Sequence, residues 1–125
     1  MAFEVSFEGI KDSATFLLSG ITRGTDEGKV VKLSAAKTVS LCAAENKFFG
    51  VIKTIEPGNQ IGGVEEAGYQ RVPYSGAAPS VGQEVELVAN GTGGVKTPAT
   101  SGTGLLYRVV EVDTSTGTLV LKLRG

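Results

Sequence analysis

Histidine and tryptophan are absent from this 125-residue chain, and cysteine occurs once. Each absence removes a class of chemistry. Without histidine there is no Ser-His-Asp or Cys-His catalysis, and most zinc sites lose their usual ligand. The lone thiol, Cys42, cannot form an intramolecular disulfide, so this is not a disulfide-stapled secreted scaffold. It sits in the apolar run Thr-Val-Ser-Leu-Cys-Ala-Ala (38–44), with no basic neighbour or helix N-terminus to activate it. Cys42 therefore reads as a small buried core residue.

An excess of charge is missing too. There are 13 acids and 12 bases, mixed along the chain, for a net charge of −1. No basic stripe can neutralise a phosphate backbone, so nucleic acid is not an expected partner. No polybasic or amphipathic stretch suggests a membrane surface. The longest apolar runs are a few residues, far below the ~20 needed to span a bilayer. The start, Met-Ala-Phe-Glu-Val-Ser-Phe-Glu, has neither a basic region nor an apolar core, so no secretory signal is expected.

The remaining chemical candidates are weak. Gly91-Thr92-Gly93-Gly94-Val95-Lys96-Thr97 superficially resembles a phosphate loop but lacks the G-x-x-x-x-G-K-[ST] spacing, and a turn is the preferred reading. Glu65-Glu66 and Asp26-Glu27 are adjacent acids. Neighbours on a strand face opposite sides, so Glu65 and Glu66 are badly placed to share a proton; Asp26-Glu27 lies in a polar loop, 22–28, and both pairs read as solvated surface. No loop carries closely spaced Asp/Asn ligands for calcium. No cofactor or metal is expected, and no catalytic residue.

What the chain has in quantity is glycine, 18 residues, which suits frequent reversals. Its length suits one domain with a real core. Short strand patterns recur between turn signals. Phe3, Val5 and Phe7 alternate with Glu4, Ser6 and Glu8, a half-buried strand or an arm that adds to another sheet's edge. Residues 14–18 form a second strand ending at Ser19-Gly20. Strands follow at 29–33, 38–43 and 47–55. In the last, Phe48, Phe49, Val51, Ile52 and Ile55 do not alternate, which predicts burial on both faces or a bulge at Gly50. Pro57-Gly58 marks a turn, and 61–66 and 69–74 look paired around Ala67-Gly68. A small-residue loop, 75–82, contains Pro79. Asn90-Gly91 is a tight-turn dipeptide, and 105–112 with 118–123 reads as a hairpin. No segment keeps helical periodicity over three turns. The expectation is all-β: a small single-domain barrel or sandwich of about ten short strands with little helix. Residues 1–20 are N-terminal strands or an arm, and 21–125 the barrel.

Tyr69, Tyr74 and Tyr107 read as half-buried strand residues with a wet tip. Tyr69 and Arg71 share a strand face and are candidate interface anchors, since Tyr and Arg are enriched at hot spots.

The strings G-K-V-V-K-L-S (28–34), F-G-V-I (49–52), V-E-E-A-G-Y-Q-R-V-P-Y-S-G (64–76), P-S-V-G-Q-E-V-E-L (79–87) and G-G-V (93–95) recur in a recognisable order. They close with Tyr107 to Asp113 and Gly117 to Leu121. This pattern of glycines and strands, over about 28–123, resembles the capsid decoration, or cement, proteins of tailed bacteriophages. The resemblance implies a non-enzymatic β-barrel clip on the outside of the virion head. Such clips are often trimers and stabilise the shell by bridging major capsid protein subunits. It also implies synthesis in the host cytoplasm. Phe3, Val5 and Phe7, with Tyr69, Arg71 and Pro79, are the interface candidates. The departure is residues 1–20, which look like two strands where many members have a shorter or flexible arm. The alternative is a carbohydrate- or ligand-binding β-module of a phage tail or bacterial surface, which would display stacking aromatics.

Overall fold

Val30 and Val31 are neighbours, and so are Val51 and Ile52, yet all four are almost completely buried. Successive residues of a strand face opposite sides of a sheet. A strand buried on both sides must lie between two cores. Val30 and Val51 belong to one hydrophobic cluster, Val31 and Ile52 to the other.

The computed structural model describes residues 13–123. Strands β1 (Ser13–Ser19), β2 (Val30–Ala35), β3 (Thr38–Leu41), β4 (Gly50–Ile55) and β5 (Ile61–Glu65) close a barrel in the order β1-β3-β2-β4-β5. Only the β1–β3 pairing in it is parallel. Strands β6 (Tyr69–Pro73), β7 (Glu84–Ala89), β8 (Val95–Lys96), β9 (Leu105–Asp113) and β10 (Thr118–Lys122) form a second sheet, β6-β10-β9-β7-β8. Its two edges meet where Tyr74 bridges Val95, so the sheet curls on itself. The fold is all-β, with ten strands and no helix among the described residues, as the turn spacing predicts.

The barrel interior holds Ile21, Val31, Val39, Ile52, Ile55 and Val64. The concave face of the second sheet, with Val72, Leu87, Tyr107, Val109, Leu119 and Leu121, packs on the outside of the β2–β4 wall through Val30, Val51, Phe48 and Cys42. Burial pushes the Cys42 thiol up to about 11, against a weaker opposing pull from Lys32. Hydrogen bonds join the units as well. Val30 N–H donates to the Gly93 carbonyl at 3.0 Å, and Ala89 N–H to that of Asn46 at 2.9 Å. Buried Gln70, on the concave face, donates to the Glu65 carboxylate of the barrel at 2.9 Å.

Of the two readings of 47–55, burial on both faces holds. The strand begins at Gly50, and its register shift lies further on, between Ile52 and Thr54. Gly50 is needed for close approach. A Cβ there would sit 2.6 Å from Val64 Cγ1 and 2.8 Å from the Glu65 carbonyl oxygen.

One expected pairing is corrected. Segments 61–66 and 69–74 are not a hairpin: β5 pairs with β1 and β4, and β6 pairs with β10. Both edges of β5 are already taken, so β6 has nowhere to pair. Ala67-Gly68 is the crossing between the sheets, where the Gly68 carbonyl accepts from Leu123 N–H at 2.9 Å. The closing hairpin, β9 and β10, is as expected, with Leu119, Leu121 and Leu123 on the concave side. Of residues 1–20, Ser13–Ser19 is a barrel stave that closes the wall by pairing with β3 and β5.

Candidate interaction surfaces

Among the described residues, no group of three or more His, Cys, Asp or Glu could hold a metal ion. The polar clusters that do exist tie down loops. Asp26 reads from sequence as solvated, but it is buried. Its carboxylate accepts from Thr22 N–H and from Lys29 Nζ, each at 2.7 Å. Burial would raise this carboxyl; the bonds from Lys29 and Thr22 outweigh it and hold the carboxyl below its usual range. Polar loops usually stay wet, and here the loop folds onto β4 through Gly28 N–H to the Ile52 carbonyl at 2.7 Å. The Gly91–Thr97 stretch is the β7–β8 turn followed by β8 itself, the turn being closed by Asn90 Oδ1, which accepts from the N–H of Thr92 and Gly94.

Glu86 was not singled out by sequence. From β7 it accepts from Gly102 N–H at 2.9 Å, from Gly104 N–H at 3.0 Å and from Ser101 Oγ at 3.4 Å. One side chain thus pins the tip of the β8–β9 loop. Backbone donors from Gly102 and Gly104 hold the carboxyl below its ordinary value. A lowered folded-state value means that the clamp acts fully above the unfolded pKa, about 4.3, and is lost as pH falls through the folded one. The Gly102 and Gly104 amide proton shifts should therefore titrate in acid, with a midpoint below that of a free glutamate. Glu86→Gln should abolish the titration. Flat shifts in the parent protein would exclude the clamp.

The predicted interface residues fall as follows. Phe3, Val5 and Phe7 lie outside the described residues. Tyr69 and Arg71 do share the outer face of β6, opposite Lys122 and Val120 of β10. Lys122 Nζ stands 5.9 Å from the Tyr69 ring centre, within cation–π range. Arg71 is ion-paired with Glu111 and donates to Thr118 Oγ1 at 3.1 Å, across the face where Val120 is buried. The guanidinium is thus partly spent inside the molecule, although half its side chain stays exposed. Pro79 is half-buried in the loop before β7, beside exposed Val81. Tyr107 departs from the wet-tip reading. It is buried, stacks on Phe48 with ring centres 4.9 Å apart, and donates its hydroxyl to the Phe48 carbonyl at 3.1 Å. Burial pushes its phenol well above the ordinary value, and nearby Cys42 adds to the effect.

Sequence reasoning missed the exposed aliphatic residues. Leu17 and Ile61 are register partners on adjacent strands, side by side on the outer barrel wall and both exposed. Leu33, 57% exposed, and Leu106, 61% exposed, flank a second site where the barrel meets the second sheet. There two adjoining depressions of about 370 and 340 Å³ share Phe48, Phe49 and Leu105 as lining. Lys32 and Lys47 border the first, Tyr107 and Leu123 the second. The only sequence signal for either patch is an apolar residue on the polar side of an alternating strand.

Comparison with known proteins adds no family. Neither the protein-family models nor the curated proteins contain a match to this chain.

Proposed function

We propose that this chain is a non-enzymatic cement protein that binds the outside of a tailed-phage capsid and bridges neighbouring major capsid protein subunits. The observation that carries the reading is the placement of exposed apolar side chains on two separate units. Leu17 and Ile61 lie on the barrel wall, and Val81 lies in the loop between β6 and β7 of the second sheet. A clip needs two contact faces on a body that does not deform between them. Two sheets that share a wall and cross-connect by hydrogen bonds make such a body. The glycine-and-strand pattern over 28–123 supports the same reading, as does the outer-face pair Tyr69 and Arg71. In this reading the protein acts on the virion exterior as an oligomer, a trimer by the family's habit, after synthesis in the host cytoplasm.

The test is co-sedimentation with undecorated heads of the phage that encodes the chain. The protein should pellet with heads and raise their temperature of disruption. Leu17→Glu combined with Ile61→Glu should weaken binding at least tenfold while the isolated protein keeps its unfolding midpoint. Failure of the parent protein to pellet with heads would defeat the proposal.

A further inference from the structure

We propose that the groove between the two sheets binds an extended, acidic peptide segment of a partner protein by strand addition. This does not rest on the capsid reading, which places its contacts at Leu17, Ile61 and Val81. Three features of the groove converge on that occupant. The first is an apolar lining. Leu33, Leu105 and Leu106 stay exposed around a floor that includes Phe48, Phe49 and Leu123. Aliphatic side chains gathered around a concave floor mark an interaction surface.

The second is main chain with unused hydrogen bonds. In an antiparallel pair, every second residue turns its N–H and C=O toward the partner strand. On β2 the odd-numbered residues face β4, because the carbonyls of Lys29 and Val31 accept from the N–H of Ile52 and Phe49, at 3.0 and 3.1 Å. Pairing of β2 with β4 stops at Val31, so the N–H and C=O of Leu33 point past the start of β4. On the other side of the groove, Leu123 N–H donates to the Gly68 carbonyl. Odd-numbered residues of β10 therefore face β6, and Lys122 faces β9. Lys122 lies opposite Arg108 and ends that pairing. Leu106, two residues away on β9, turns its N–H and C=O to the same side, with no strand beside it among the described residues. Leu33 and Leu106 both line the groove. A helix satisfies its own main chain and has nothing to offer such edges, whereas an extended segment does.

The third is charge. Lys32 and Lys47 border the groove, and among the described residues neither is ion-paired. Lys32 Nζ donates to neutral Asn46 Oδ1 at 2.8 Å. Glu45, next to Asn46 in sequence, is already engaged by Lys96 and by Ala99 N–H. Two lysines without counter-ions attract carboxylates and disfavour basic segments. In an extended peptide whose apolar and acidic residues alternate, one face fills the floor and the other carries the carboxylates. Lysine stems are long enough to reach them from the rim.

Peptide binding to the full chain tests the inference. The probes are short blocked peptides in which valine alternates with glutamate or with lysine. The glutamate peptide should bind, and the lysine peptide at least about tenfold more weakly. Lys32→Glu combined with Lys47→Glu should reverse that order. In the parent protein the glutamate peptide should slow hydrogen exchange several-fold at the Leu33 amide, the Leu106 amide or both. Leu17→Glu combined with Ile61→Glu should leave peptide binding unchanged, which separates this site from the capsid contacts. No binding, equal affinity for the two peptides, or unchanged exchange at both amides would overturn the inference. So would amide protection there that grows with protein concentration without peptide, which would give the groove to a second copy.

Discussion

Phe48→Ala is expected to lower the free energy of unfolding by about 3–5 kcal/mol. Phe48 is 1% exposed and precedes the shared wall, where its ring lies nearly parallel to that of Tyr107, at 7°. Its loss would remove a large buried apolar surface and the stacking partner of Tyr107 together. The main chain there is held as well, since the Phe48 carbonyl accepts the Tyr107 hydroxyl. That anchor resists collapse into the void, which places the cost toward the upper end. Proteins of this size have only about 5–15 kcal/mol in total. Urea titration of parent and variant measures the difference, and an unchanged slope would confirm that only stability moved. A loss below about 1 kcal/mol would mean that the ring space closes and that Phe48 does not join the units.

The second large effect is expected at Gly50. Gly50→Ala should cost about 1–3 kcal/mol, the usual range for overpacking a tight core. For a chain of this length, that is a fall in melting temperature of roughly 4–12 °C. The new methyl would meet the Val64 methyl and the Glu65 carbonyl, both well inside contact distance. Val64 can shift only into a filled barrel. Glu65 is held by pairing of β5 to β4 on one side and β1 on the other. No unusual backbone angle is involved at this position, so the effect is purely one of space. A melting temperature within 1 °C or so of the parent would show that β4 and β5 can part at that point.

The strands were legible because their signal is local. Glycine and Pro-Gly punctuation located the described strands to within a few residues, and the missing alternation at 48–55 pointed to burial on both faces or a bulge, of which the first holds. Pairing was less legible. Which strand accepts β6 depends on whether the edges of β5 are free, and that is decided by β1, some 50 residues earlier. The polar contacts hid for a related reason. Asp26 and Glu86 sit in contexts that are usually wet, and backbone N–H groups, which every residue carries, hold both of them, with Lys29 added at Asp26 and Ser101 at Glu86. Tyr107 differs from Tyr69 in facing the concave side, and from Tyr74, which packs against the same core, in being buried rather than half-buried. The two apolar patches were invisible because an exposed leucine looks like any other leucine until its neighbours are placed.

The wall formed by β2 and β4 constrains how the chain can vary. Val30 and Val31 are adjacent in sequence but answer to different packing partners, Val31 to the group of Val39 and Val64, Val30 to that of Val95 and Leu119. Drift at one should leave the other untouched, while compensating changes appear tens of residues away. In divergent copies of this chain, substitutions should co-vary in two interleaved sets whose members alternate along the same two strands.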